Sequence, residues 1–241
     1  MNFKTRGIVF HHIKYNDTSL IASIYTESSG RKSFLIKGVY KPKSQIKAGF
    51  FQPLGLLELE ISLSGKRDLQ RIKNIAPYPP LNSLYTNIQK QTIVFFIAEV
   101  VHKTIREEEP NPALFEFLFN SVLYLDTSDN DNSNFHLIFL LQLSRFLGFF
   151  PHNNYTENNT IFDALNGNFV SENETGVHLY SQRLSSKLHT LLNMNFESAT
   201  QLSLNRTERV EILELILNFY GLHLHSHLNI QSLSILKEIF D

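Results

Sequence analysis

The period of apolar and polar positions changes once along the chain. Up to about Ala76 the apolar runs are short and strand-like: Arg6 to Tyr15, Leu20 to Thr26, Arg31 to Tyr40, Pro53 to Ser62 and Leu69 to Ile75. In the fourth run Leu57, Leu59 and Ile61 fall on one face and Glu58 and Glu60 on the other, the period of two of a half-buried strand. Asn16-Asp17, Ser28-Ser29-Gly30 and Gly65-Lys66 supply the turns. Five short strands so connected predict a small closed barrel, with a sandwich of the same strands as the alternative.

After Pro77, Pro79 and Pro80 the period becomes helical. A helix is predicted from Leu81 to about Glu108, with Ile93, Phe96, Ile97, Val100 and Val101 on one broad apolar face. Asn111-Pro112 opens a second helix through Phe115, Leu118, Phe119 and Val122. Phe135 to Phe149 reads as a third, apolar nearly all round and therefore central, stopped by Pro151. Residues 152–180, rich in Asn and Thr, predict an irregular excursion or a β-hairpin. Helices follow over Ser181 to Leu192, Asn205 to Tyr220 and Ser232 to Phe240; Asn205 and Glu208 are spaced as a capping box, and Gly221 is a C-terminal stop. The expected class is α+β, with a β-domain over 1–76 and a helical domain over 77–241.

Charge sharpens this division. The 241 residues carry a net charge of −1, yet residues 1–76 hold thirteen Lys/Arg against five Asp/Glu, and residues 77–241 nine against eighteen. A basic module beside an acidic one suggests separate tasks, with phosphate binding on the basic side. Zero cysteines exclude disulfides, thiol nucleophiles and thiolate metal sites. The most apolar stretch is broken by His136, Gln142, Ser144 and Arg145, too short and too polar to span a bilayer. No apolar leader core follows Met1, so a cytosolic location is expected.

Enzyme signatures are missing: there is no phosphate loop, dinucleotide fingerprint, His-Glu-x-x-His or Gly-x-Ser-x-Gly. His223, His225 and His227 alternate, but they follow a helix stop and have no carboxylate in the segment, so they read as helix-end residues rather than metal ligands. His11-His12 would point to opposite strand faces. Glu107-Glu108-Glu109 reads as a solvated helix end. The informative stretch is basic: Arg31, Lys32, Lys37, Lys41, Lys43 and Lys47, with no acid among them and with Phe34, Tyr40, Phe50 and Phe51 interleaved or adjacent. Cations beside aromatic faces are how a small barrel tracks a single strand. An edge strand kept soluble by lysines is the plainer reading, and the basic excess of the whole module favours binding.

These residues also carry a family resemblance. Gly7-Ile8-Val9, Asp17-Thr18-Ser19-Leu20, Tyr25-Thr26-Glu27-Ser28-Ser29-Gly30-Arg31, Lys37-Gly38-Val39-Tyr40-Lys41-Pro42-Lys43-Ser44 and Gln52-Pro53-Leu54 stand in the order and spacing of the RecO family of bacterial recombination mediators. Shorter matches occur at Leu147-Gly148-Phe149-Phe150-Pro151, Phe162-Asp163, Gly167-Asn168-Phe169, Leu228 and Ser232-Leu233.

The resemblance implies an N-terminal OB-fold and an all-helical domain. It implies a non-enzymatic, cytoplasmic, nucleoid-associated protein with no cofactor. Such a protein binds single- and double-stranded DNA, anneals strands, contacts RecR and the C-terminal tail of single-stranded DNA-binding protein (SSB), and helps load RecA. A protein-interaction adaptor with little direct DNA binding is the alternative. Family DNA-binding positions fall on Arg31, Lys37, Lys41 and Lys43. The chain departs from the family in two places. The excursion at 152–180, where many relatives bind zinc, has no cysteine, so packing of Phe162, Phe169 and Val170 is expected to hold it without metal. At the start of the central helix Ser133 and Asn134 replace a basic residue that relatives use for the SSB tail, leaving Arg145, Arg183 or Lys187 as candidates for the partner peptide.

Overall fold

The computed structural model describes residues 2–63, 68–226 and 228–239. The Gly65-Lys66 turn, His227 and the last residue of the final predicted helix, Phe240, lie outside them. The chain forms two compact units, Met1–Ser128 and Asp129–Asp241.

In the first unit, β1 (Asn2–Lys14), β2 (Leu20–Thr26), β3 (Gly30–Ile36), β4 (Leu56–Ser62) and β5 (Leu69–Pro77) close into a barrel in the order β1-β2-β3-β5-β4. All pairings are antiparallel except β3 with β5, where Ser33 and Phe34 face Leu69 and Gln70. That crossover makes the barrel OB-like and removes the sandwich alternative. The period of two does the work. Val9, Leu20, Ala22, Ile24, Phe34, Ile36, Leu57, Leu59 and Ile61 point inward, and Val39 and Phe51 join the same core. A bulge between Val9 and His11 lets Phe10 turn out of the pairing, where it stacks on Tyr25 at 5.5 Å between centroids.

The third strand ends at Ile36 rather than Tyr40, because Gly38 at φ 75° turns the chain. Residues 37–47 then form a loop leading to a 3₁₀ turn, Ala48–Phe51. This loop is pinned at several points. Val39 enters the core, the Tyr40 N–H donates to Thr18 O, and the Lys41 and Ser44 N–H groups close turns on Gly38 O and Lys41 O.

Two helices complete the unit, α1 (Ile88–Thr104) and α2 (Pro112–Thr127). The first begins later than its apolar periodicity suggests. The Asp126 carboxylate accepts the N–H groups of Asn82, Ser83 and Leu84 at 3.0, 2.7 and 3.0 Å and holds them as a turn, so Asn87 becomes the cap. The buried Lys90 ammonium donates to Ser83 Oγ, Asp126 O and Ser128 O at 2.7, 2.9 and 2.7 Å, satisfying the end of α2. Against the barrel, Phe115 of α2 stacks on Tyr25, and the Arg6 guanidinium lies over Phe115 and Phe119 while pairing with Glu27 and Glu116. The compact unit therefore ends at Ser128, beyond the composition break at Pro77.

The second unit is built around α3 (Phe135–Phe146), buried on all sides over most of its length as its composition predicts. Around it lie α4 (Gln182–Leu192), the short α5 (Phe196–Ala199), α6 (Arg206–His223) and α7 (Leu233–Ile239). The capping box of Asn205 and Glu208 forms as expected. The four-residue α5 has too little periodicity to be read from sequence. The excursion is a hairpin, β6 (Ile161–Asp163) paired with β7 (Asn168–Val170). Phe162 and Phe169 are buried in contact with each other, Phe162 also packs on Phe219, and the Phe162 N–H donates to Ser185 Oγ. Val170 is only partly buried.

The turn between β2 and β3 imposes one strict requirement. Gly30 sits at φ 63°, and a Cβ there would lie 2.4 Å from Glu109 O. Gly30→Ala is expected to cost more than about 1 kcal/mol in urea unfolding, because both the conformation and the clearance are lost.

Candidate nucleic-acid interface

The six predicted DNA-binding cations divide into two groups. Arg31 and Lys32 are turned onto the protein itself. The Arg31 guanidinium donates to His102 O at 2.7 Å, Ile105 O at 2.8 Å, His102 Nδ1 at 2.9 Å and Ser23 Oγ at 3.0 Å. Ile105 is the C-cap of α1, so Arg31 supplies a cation and three donors to the end of a helix with orphan carbonyls and a partial negative charge. The Arg31 N–H donates to Glu107 O, and Lys32 Nζ reaches Glu108 O and its carboxylate at 3.0 and 3.3 Å. The Glu107–Glu109 run is thus strapped along β3 beyond the end of α1, rather than standing as a free helix end.

This arrangement engages Ser23, Arg31 and Lys32 at one end of the β2–β3 face, one of the places where OB barrels hold oligonucleotides, and leaves Ile21, Ser33 and Leu35 partly exposed. His11 of β1 stacks on His102 at 4.9 Å. The loop joining β4 to β5, another usual contact, contains Lys66 and Arg67, which lie outside the described residues.

Lys37, Lys41, Lys43 and Lys47 behave differently. All four are exposed on the loop after β3, and none has an ion-pair or hydrogen-bond partner among the described residues. Tyr40 stands between them with 40% of its surface exposed. From Ser28 to Leu57 the chain contains no acid. The loop thus presents a line of solvated cations around one exposed aromatic ring, the combination that follows a phosphate backbone. Beside it, an apolar groove of about 270 Å³ runs between the 3₁₀ turn and the Pro77–Pro80 segment.

The predicted peptide residues lie in the second unit. Arg183 pairs with Glu211 and Glu208, and Lys187 pairs with Glu208 at 2.8 Å. Arg145 lies over the Phe150 ring at 3.8 Å. Sequence reasoning missed Arg209. It folds back from α6 to donate to Ser133 Oγ and Asn134 Oδ1, both at 3.2 Å, and to Leu204 O at 2.9 Å. Its charge therefore arrives at the start of the central helix from a residue 75 positions away. Arg206, Arg209 and Lys237 border a small depression floored by Val210, Leu213 and Leu236. The Arg206–Arg209 spacing was the available signal, since i and i+3 share a helix face.

Among the described residues, no group of three His, Cys, Asp or Glu side chains is placed to hold a metal, and no helix is long and apolar enough to cross a membrane. His223 instead stacks on Phe149 and contacts Ala164 O at 3.1 Å.

The OB-like barrel and the helices that follow it correspond to two family models of one class, the DNA repair and recombination proteins. Residues 1–78 match the family model for the N-terminal part of recombination protein O, and residues 85–229 match the model for its C-terminal part. The chain is 41% identical to the DNA repair protein RecO of Bacteroides fragilis, covering 99% of both chains. It is 38% identical to that of Phocaeicola vulgatus, covering 98% of both, and 35% identical to that of Flavobacterium psychrophilum over the full length of both. The chain belongs to the RecO family.

Two measurements follow from the Arg31 cluster. Arg31→Ala is expected to lower stability by about 2–3 kcal/mol, because it leaves helix-end carbonyls unsatisfied, whereas Lys37→Ala or Lys43→Ala stays within about 0.5 kcal/mol. Urea unfolding separates them. The second concerns pH. Burial, reinforced by Arg31, holds the His102 imidazole down at about 4 from the ordinary 6.5, and burial with His12 and Arg31 also lowers His11. The wholly buried His136 is pushed down to about 3. Between these values and 6.5 the unfolded chain binds more protons, so stability falls as pH drops from about 6.5 towards 4. His102→Gln is expected to make that decline shallower in urea midpoints measured at pH 7, 5.5 and 4.5. An unchanged slope assigns it to His11 and His136.

Proposed function

We propose that this chain is a non-enzymatic recombination mediator that acts in the cytoplasm, at the nucleoid. In this reading it binds single- and double-stranded DNA through the loop after β3, anneals complementary strands, and helps deliver the recombinase to SSB-coated DNA with RecR as partner. The observation that carries the reading is the set of Lys37, Lys41, Lys43 and Lys47, exposed and unpaired on an OB-like barrel of a DNA repair family. Arg31 and Lys32 serve this surface as positioning residues, since their charges are engaged by α1 and the strap after it.

Each phosphate neutralised releases counterions, so affinity falls with the logarithm of salt. Fluorescence anisotropy with a single-stranded oligonucleotide at several salt concentrations is the test. Replacing the four lysines by alanine is expected to weaken binding, and each single replacement to reduce the salt slope by roughly 0.7–1. Unchanged affinity and slope would instead favour the adaptor reading, with protein contacts as the main role.

For the SSB tail, the depression bordered by Arg206 and Arg209 is the favoured seat, because it sets two cations beside an apolar floor; Lys237 on its rim is paired with Glu214, as Arg183 and Lys187 are with other acids of α6. An acidic peptide with an apolar end matches a cationic rim over an apolar floor. Arg206→Glu is expected to weaken binding of such a peptide at least tenfold in a titration, without changing affinity for DNA.

A further inference from the structure

The groove beside the lysine loop has no assigned occupant. It is lined by Phe50 and Gln52 from the 3₁₀ turn and the residue after it, by Pro79, Pro80 and Tyr85 from the segment before α1, and by Leu57 from β4. Phe50 is half-buried, and its inner side packs on the barrel core. The Tyr85 hydroxyl donates to Pro53 O at 2.9 Å, which fixes its ring in place. The side-chain oxygen of Gln52 is out of contact with solvent and has no partner among the described residues.

From these features we infer that the groove is a slot for one unpaired nucleobase of a DNA strand held by the adjacent lysines. The inference rests on the nucleic-acid reading of the loop and adds the discrimination between strands that the lysines lack. Three observations support it. First, charge: Lys47 is the N-cap of the turn that carries Phe50, and no acid occurs in the chain between Glu27 and Glu58, so a phosphate is attracted to this rim.

Second, the wall contains prolines, which have no N–H to offer. A peptide laid in the groove finds few backbone donors there, whereas a flat base needs only ring and proline faces to stack on. Third, Gln52 leaves an acceptor unsatisfied in the free protein. Rotation about the side-chain single bonds of Gln52, which lines the groove, turns that oxygen out of its partnerless position towards the groove. The oxygen then accepts from an amino or imino N–H on the Watson–Crick edge of a base, the edge that proteins read on unstacked bases. A base in a duplex has that edge occupied and stays stacked, so only an unpaired strand fills the slot.

Gly49 at the rim provides a clean way to close it. A Cβ placed there meets nothing within 4 Å, and its φ is not in the left-handed region. Gly49→Trp adds bulk over the groove, and Gln52→Leu keeps the size of the side chain while removing its amide. Anisotropy is measured on the full-length chain with three probes of equal length and fixed salt: an oligothymidylate, an abasic deoxyribose-phosphate oligomer and a duplex. The expected wild-type result is oligothymidylate binding roughly fivefold or more tighter than the abasic oligomer. In either variant this ratio falls towards one, while affinity for the abasic and duplex probes and the melting temperature stay unchanged.

Equal wild-type affinity for the two single-stranded probes overturns the slot, as does a ratio that survives both variants. If Gly49→Trp releases a protein partner while the ratio persists, the groove belongs to a peptide and the slot is again overturned. The four-lysine variant separates this from the larger reading. If it leaves every probe unaffected, the nucleic-acid reading itself fails. If it weakens all of them while the wild-type ratio is one, only the slot fails.

Discussion

A guanidinium at the end of a helix sets the plan of the first unit. Arg31 gives its donors to the last carbonyls of α1 and to His102, and much else follows from where that places the helix. At the Gly30 end of β3, Arg31 and Lys32 are turned onto α1 and the segment after it, while Ser33 and Leu35 stay partly exposed. The segment after α1 is strapped along β3, which leaves room above Gly30 only for a hydrogen. His102 is kept neutral by burial and by the cation beside it. Of the six cations between Arg31 and Lys47, the four with no partner among the described residues are those on the next loop, where the chain has left the sheet.

The two compact units keep opposite charge even when divided at Ser128. Met1–Ser128 has sixteen Lys/Arg against eleven Asp/Glu, and Asp129–Asp241 six against twelve. In the second unit the acids concentrate partly on α6, where Glu208 and Glu211 hold Arg183 and Lys187. Its hairpin is secured by aromatic packing around Phe162 and Phe169 rather than by any cysteine. Ring contacts among Phe149, Phe162, Phe219 and His223 extend that cluster to α6.

Much of this was legible in the residues. Alternation at Leu57, Leu59 and Ile61 identified an inward face, and the all-round apolarity of Phe135–Phe146 identified the central helix, because burial acts on these patterns directly. The strand order was not legible: parallel pairing of β3 with β5 depends on a crossover that no local pattern encodes. The site was half legible. Composition marks Arg31 and Lys37 alike as basic, but only the fold shows that one meets helix carbonyls and the other water. Arg209 was hidden for the same reason, since it acts 75 residues from the asparagine it contacts. The late start of α1 is another tertiary effect, imposed by Asp126 on a segment whose own periodicity favours helix.

The anchoring of the loop by Val39 has a kinetic and entropic meaning. A run of lysines on a free tether must lose its motion each time it closes on a ligand, and that loss opposes binding. Here Val39 is held in the barrel and the backbone is cross-tied at Tyr40 and Ser44, so the ordering occurs when the protein folds. In the proposed role the loop meets a strand as a shaped edge, and mutations that loosen Val39 act on encounter and affinity without removing a single charge.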